Sequence, residues 1–312
     1  MHGEIKQRSR IDWLKDGDRN TALFQAKARE RGRSNRIKSL KRDDGSIAVK
    51  QEELEEVATS FYRGLFTAQE NLDVGAILQH VQPKVTVAMN DSLTRTYTAE
   101  EIRRAVFMMG PNKSPGPDGL TAGFFEVHWD LVGPQVCEAV LNFLNGGELP
   151  DDINLTTIVL IPKCKNPVEM KQFRPISLCN VLCKICSKVL ANRLREFLDE
   201  IISEEQSAFV PGRLITDNVL IAYECTYYLK RKKGKTGACA VKMDMAKAYD
   251  RVECEYLEGI MLKLGLHEDF VSRIMRCVTS VSFLLELMGC CRIISDRREE
   301  FDRGIQFHLT CS

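Results

Sequence analysis

The stretch Cys239-Ala240-Val241-Lys242-Met243-Asp244-Met245-Ala246-Lys247-Ala248-Tyr249-Asp250 decides how the chain is read. Cys239, Val241, Met243 and Met245 alternate with Ala240, Lys242 and Asp244, the period-two pattern of a half-buried strand, which puts Lys242 and Asp244 on one face. An aspartate inside an apolar strand is costly to bury unpaired, so Asp244 needs a cation, a hydrogen-bonding cluster or a solvent-open cleft. The plainer reading of the residues alone is an aspartate that starts a turn at the strand end.

Working outward, Leu257, Ile260, Met261 and Leu264 mark a helix closed by Gly265. Upstream, Leu155 to Ile161 is a short β-branched apolar run ended by Pro162, a buried strand that leaves Lys163 at its exit. Leu190, Leu194, Phe197, Leu198 and Ile201 repeat at helical spacing, and Thr98 with Glu101 forms a capping box ahead of Ile102, Ala105, Val106 and Met109. That helix stops before Gly110-Pro111, and Lys113 to Gly119, with two prolines and two glycines, is a loop of fixed turns. Glu52 to Phe66 is an acidic amphipathic helix with a Leu54, Val57, Ala58, Phe61, Leu65 stripe, while Asn20 to Arg31 reads as helix followed by turns at 32–35 and 43–45. Strands and helices alternate irregularly, so the expected class is α+β.

The 312 residues are 44% hydrophobic and 28% charged, which suits a globular domain and excludes fibrous and low-complexity classes. Residues 1–10 carry no apolar run and no long uninterrupted apolar stretch follows, so neither secretion nor a membrane partner is expected, and a nuclear or cytoplasmic location is. The twelve cysteines then read as reduced thiols; Cys183 and Cys186 form a C-x-x-C, but with Cys179 they fall near one helical face, where core packing outweighs zinc binding. The formal net charge of +1 hides a basic arm: residues 1–42 hold thirteen Lys and Arg against five Asp and Glu, and 43–101 hold four against eleven. Such an arm suits a phosphate backbone, although a solvated helical face is the commoner meaning of a charge run. The Lys230 to Lys235 cluster reads as a solvated hairpin tip.

Several strings, in order, carry a family resemblance. Lys242-Met243-Asp244-Met245-Ala246-Lys247-Ala248-Tyr249-Asp250 resembles the first catalytic-aspartate motif of the reverse transcriptases of non-LTR (LINE-type) retrotransposons. Leu160-Ile161-Pro162-Lys163, Phe173-Arg174-Pro175-Ile176-Ser177-Leu178 and Gln206-Ser207-Ala208-Phe209-Val210-Pro211-Gly212-Arg213 resemble the finger and palm motifs that precede it. The loop Lys113 to Gly119 and the segment Trp13 to Thr21 resemble parts lying ahead of the polymerase in plant elements. The resemblance covers nearly the whole chain to about Ser282.

It implies reverse-transcriptase fingers and an incomplete palm preceded by a basic helical N-terminal arm. The expected divisions are 1–95, a basic then acidic and mainly helical segment; 96–289, the fingers and partial palm; and 290–312, a divergent tail. It implies RNA-directed DNA synthesis on an RNA template and DNA primer from deoxynucleoside triphosphates, with paired Mg²⁺ ions roughly 3.5–4 Å apart. Hard Mg²⁺ takes oxygen ligands, and Asp244 is the implied catalytic and metal-binding carboxylate. Lys163 and Arg174 would face the triphosphate, a point charge and a planar fork for phosphate oxygens, and the Tyr249 ring would exclude a 2′-hydroxyl. Lys163 and Arg174 also fit ordinary surface cations, and Tyr249 a core aromatic.

The sequence departs from the family in one respect that bears on chemistry. The adjacent aspartates of an aromatic-x-Asp-Asp hairpin do not follow Asp244; Asp43-Asp44 and Asp151-Asp152 both lie upstream of it. Arg303-Gly304-Ile305 begins the family's R-G-I-R-Q-G-D-P-I-S-P-Y-L-F motif, and I-S-P-Y-L-F codons read one base late yield Phe307-His308-Leu309-Thr310-Cys311-Ser312. A frameshift joined to a loss of the intervening codons would account for that tail. The expectation is a truncated polymerase fragment that does not polymerise, with a non-catalytic nucleic-acid-binding remnant as the alternative.

Overall fold

In a computed structural model the structure describes residues 21–66, 73–148, 151–233, 237–244, 252–287, 290–295 and 304–305. Helix α1 (Thr21–Asn35) leads into a hairpin of β1 (Leu40–Lys41) and β2 (Ile47–Ala48), whose turn uses Gly45 at φ 87° and an Asp44 carboxylate that accepts from the Ser46 N–H at 2.8 Å. The turn expected at 32–35 is helical instead: Gly32 costs about 1 kcal/mol in a helix, too little to stop one between two arginines. Helix α2 (Gln51–Phe66) follows and buries Leu54, Ala58, Tyr62 and Phe66. Val57, Phe61 and Leu65 of the expected stripe lie at its margin.

Four short helices come next: α3 (Val74–Leu78), α4 (Val87–Thr94), α5 (Ala99–Phe107) and α6 (Ala122–Val127), then the longer α7 (Trp129–Leu144). The Thr98 capping box forms as read, the Thr98 N–H donating to Glu101 at 3.0 Å and the Glu101 N–H to the Thr98 hydroxyl at 3.3 Å. The loop after α5 is seated on the chain at Cys179 and Asn180. A Cβ on Gly116 would collide with the backbone of Cys179 and Asn180, and the Asp118 N–H donates to the Asn180 side chain at 3.2 Å.

Strands β3 (Leu155–Pro162) and β4 (Phe173–Cys179) pair antiparallel, and α8 (Val181–Arg195) and α9 (Leu198–Ile201) follow. The single amphipathic helix expected around Leu190 to Ile201 is therefore two, separated at Glu196 and Phe197. Helix α10 (Ile215–Arg231) precedes β5 (Val252–Glu253), α11 (Cys254–Lys263), α12 (Glu268–Thr279), β6 (Ser282–Leu287), β7 (Cys290–Ser295) and β8 (Gly304–Ile305). Lys230 and Arg231 close α10 rather than sitting at a hairpin tip. The sheet order is β4-β3-β6-β7, with β6 parallel to β3 and antiparallel to β7, so the class is α+β.

Alternation divides this sheet into two faces. One carries Ile158, Leu160, Phe173, Leu285 and Leu287 and packs under α2 and the hairpin. Glu55, 4% exposed on α2, is ion-paired to Arg292 of β7 and locks that layer to the sheet. A second core joins α4, α5, α7, α8, α11 and α12 through Leu93, Ile102, Val140, Ile185, Met261 and Phe270.

One buried cation organises the second core. Arg193 of α8 is 3% exposed and spends all five guanidinium N–H groups. Nε and Nη2 donate to the two Glu101 oxygens at 2.8 and 2.9 Å, Nη1 to the carbonyls of Leu93 and Arg95 at 2.8 and 2.6 Å, and Nη2 to that of Thr96 at 3.0 Å. The guanidinium carbon also lies 3.7 Å from the centroid of the Tyr97 ring. Burial opposes ionisation of Glu101, yet the Arg193 hydrogen bonds, the Thr98 N–H and the charges of Arg193 and Arg95 hold its carboxyl at about 2. A depressed carboxylate stabilises the fold above its ordinary value, and that contribution is lost as pH falls through the folded value. Acid titration followed by circular dichroism should therefore show a loss of stability from about pH 4.5 downward. A Glu101→Gln variant should be less stable at neutral pH and flatter through that window; parallel curves for the two proteins would refute the linkage.

Candidate active site

The open face of the sheet brings two of the predicted site residues together. Ile161 pairs with Arg174 and Pro162 with Phe173, and the Lys163 N–H continues the ladder to the Gln172 carbonyl at 2.8 Å. Lys163 and Arg174 are thus diagonal neighbours on one face, a relation that sets them about 7–8 Å apart. Both are exposed. They sit there because Phe173 and Pro175 are buried on the opposite face, and alternation turns Arg174 outward.

Their surroundings favour an anion. The segment from Lys163 to Arg174 holds Lys163, Lys165, Lys171 and Arg174 against Glu169, all of them exposed. Lys163 Nζ donates to the Lys171 carbonyl at 3.0 Å, which keeps the ammonium over the loop. The Lys41 N–H donates to the Val168 carbonyl at 2.7 Å, so the hairpin strand bearing exposed Lys41 abuts the same loop. Exposed Arg33, Arg36 and Lys38 precede that hairpin.

Asp244 is placed differently from its expectation. Residues 237–244 form no strand, and Val241 and Met243 are 77% and 85% exposed. A lone extended segment cannot satisfy its backbone as a strand without a ladder partner, and none of the described strands lies against it. Among the described residues no hydrogen bond or ion pair joins Asp244 to Lys163 or Arg174, and no group of three His, Cys, Asp or Glu side chains could hold a metal ion. A two-metal centre is therefore not assembled from these residues, and no step is routed through one. Tyr249 lies outside the described residues.

Sequence reading missed β6 and β7, and with them Glu286, a half-buried carboxylate on the open face opposite Val159. The available signal was the alternation of Phe283, Leu285 and Leu287 with Leu284 and Glu286, blurred because Leu284 is also apolar. The C-x-x-C packs as core, Cys183 and Cys277 lying against buried Cys186, whereas Cys164, Cys225, Cys239 and Cys291 are exposed. Cys186 is 1% exposed, and burial raises the thiols of Cys179, Cys183 and Cys186 and lifts Cys277 to about 12, which keeps them protonated.

Residues 161–292, from the exit of β3 to β7, match the family model described as reverse transcriptase (RNA-dependent DNA polymerase). The chain is similar to an uncharacterized 149 kDa protein of transposon TX1 from Xenopus laevis, 32% identical over 90% of this chain and 21% of that protein. It is similar to the Pol polyprotein of the type-2 retrotransposable element R2DM of Drosophila melanogaster, 26% identical over 59% of this chain and 17% of that one. A probable RNA-directed DNA polymerase from transposon BS of the same fly is 29% identical over 53% of this chain and 18% of its own length. The chain spans about a fifth of the length of these relatives. No helix among the described residues is long and apolar enough to cross a membrane. The matched motif segments, the mixed sheet and these relatives together identify a reverse transcriptase domain of the non-LTR retrotransposon type.

Proposed function

We propose that this chain is the fingers and part of the palm of a non-LTR reverse transcriptase of the plant LINE type, able to hold nucleotide and nucleic acid but not to polymerise by itself. The observation that carries the binding half is the diagonal placement of Lys163 and Arg174 on one sheet face within the matched residues. A point charge and a planar fork at diagonal positions suit the oxygens of a triphosphate. Asp244 and Tyr249 keep their proposed roles as metal-binding carboxylate and sugar-reading ring, with Mg²⁺ the proposed ion. The plant assignment rests on the Trp13 to Thr21 segment and the Lys113 to Gly119 loop.

The inactive half of the reading rests on the want of an adjacent aspartate pair after Asp244 in these 312 residues. In-line phosphoryl transfer needs both attacking and leaving oxygens clamped, and one carboxylate does not hold two ions. A primer-extension assay with an RNA template, a DNA primer, the four triphosphates and Mg²⁺ should give no product, and Asp244→Asn should change nothing. Extension that disappears in the Asp244→Asn protein would refute the proposal.

A second reading, a nucleic-acid-binding remnant, is favoured by the exposed cations Arg33, Arg36, Lys38 and Lys41 beside the Lys163 to Arg174 loop. Each phosphate neutralised on single-stranded RNA adds about 0.7 to the slope of log affinity against log salt. An Arg33→Ala, Arg36→Ala protein should show a shallower slope in a filter-binding titration, and an unchanged slope would remove the arm from the interface.

A further inference from the structure

Among the described residues two apolar surfaces stand uncovered. Helix α10 buries none of its residues. Ile215, Val219, Tyr223 and Tyr227, spaced four apart, are 80%, 64%, 68% and 45% exposed, and Leu220, Ile221 and Tyr228 are exposed as well. A helix apolar around most of its circumference belongs in an enclosed position. Nor does its sequence favour it alone, because Ile215, Thr216, Val219, Ile221 and Thr226 are β-branched and its 17 residues are little more than the minimum length for even an alanine-rich helix to hold in water.

The other surface is an apolar cavity of about 520 Å³ between the sheet and the helical core. Ile176 and Leu178 of β4, Leu190 and Leu194 of α8, and Leu257 and Met261 of α11 form its walls. Leu198, Ile201 and Ile202 also line it, and the root of α10 is tied to that segment. Arg213 donates to the Ile202 carbonyl at 3.1 Å, to the Asp199 carboxylate at 2.9 Å and to the Gln206 carbonyl at 2.7 Å. The chain leaving α10 leads on to α11, another wall of the same cavity.

We infer that α10 turns about Leu214 and packs its Ile215, Val219, Tyr223 and Tyr227 stripe over this cavity, giving a closed state of the same chain. Tethers at both ends make the docking intramolecular, at an effective concentration a second copy does not reach. The inference does not depend on the polymerase reading.

Hydrogen-exchange mass spectrometry on the full chain tests it without any activity measurement. Docked, the amides of residues 219–229 should exchange on the order of 100-fold more slowly than in a peptide of residues 215–231. Val219→Asp combined with Tyr223→Asp should abolish that protection, and Ala191→Trp, which fills the cavity from α8, should do the same. Protection of α5 and α8 in the same spectra separates local release from general unfolding; if Ala191→Trp unfolds the core, the two α10 substitutions still decide. Peptide-like exchange of α10 in the unaltered chain would overturn the inference. So would protection that survives the α10 substitutions, or protection that falls on dilution.

Discussion

Replacing Arg193 by alanine is expected to cost about 3–5 kcal/mol of stability, a large part of the 5–15 kcal/mol available to a typical domain. The reason is what the substitution strands. Glu101 would keep only the Thr98 N–H and hydroxyl and a 3.4 Å contact to the exposed Arg95, and the carbonyls of Leu93, Arg95 and Thr96 would lose the donors of a guanidinium that is itself 3% exposed. Lysine should rescue little, since an ammonium has three donors and cannot reproduce a planar fork that serves five bonds. Urea denaturation followed by circular dichroism would measure the loss; a shift under about 1 kcal/mol would mean that the cluster relaxes and that its burial has been over-weighted. Glu101→Gln combined with Arg193→Met removes both charges and should cost less than Arg193→Ala alone.

The largest functional effect is expected from Lys163→Ala combined with Arg174→Ala. Each cation should contribute about 1.5–3 kcal/mol of charge-assisted hydrogen bonding to a triphosphate, so each single substitution should weaken binding roughly 10- to 100-fold. The double variant should bring it near the detection limit of a calorimetric titration with a deoxynucleoside triphosphate. Arg174→Lys should recover only part of the loss, because a point charge does not replace the fork. Both residues are exposed and project from a face whose opposite side forms the core, so the fold should survive; affinity unchanged in the double variant would remove this face as the nucleotide site.

What the sequence revealed, and what it did not, follows from how local each signal was. The Thr98 and Glu101 box, the Gly45 turn, the Gly265 stop and the β3 run ending at Pro162 are set by neighbours within a few residues, and each appears as read. The Cys239 to Met245 alternation is equally local, but a strand exists only against a partner, and its described part has none. Glu286 was hidden for the converse reason: β6 is defined by pairing with β3, and nothing near residue 286 announces that distant neighbour. Lys163 and Arg174 were each legible from motif strings, whereas their shared face needed the register of β3 and β4.

The parallel pairing of Leu155 with Ser282 also sets the order in which the molecule can be made. At about 5–20 residues per second, the 126 intervening residues take roughly 6 to 25 seconds to synthesise. Until they emerge, the β3–β4 hairpin waits with Ile158, Leu160 and Phe173 lacking the neighbouring strand that helps to cover them. The nascent chain is therefore exposed to sticking and misassembly throughout that interval, and slower translation, which lengthens it, should lower the yield more than it changes the final stability.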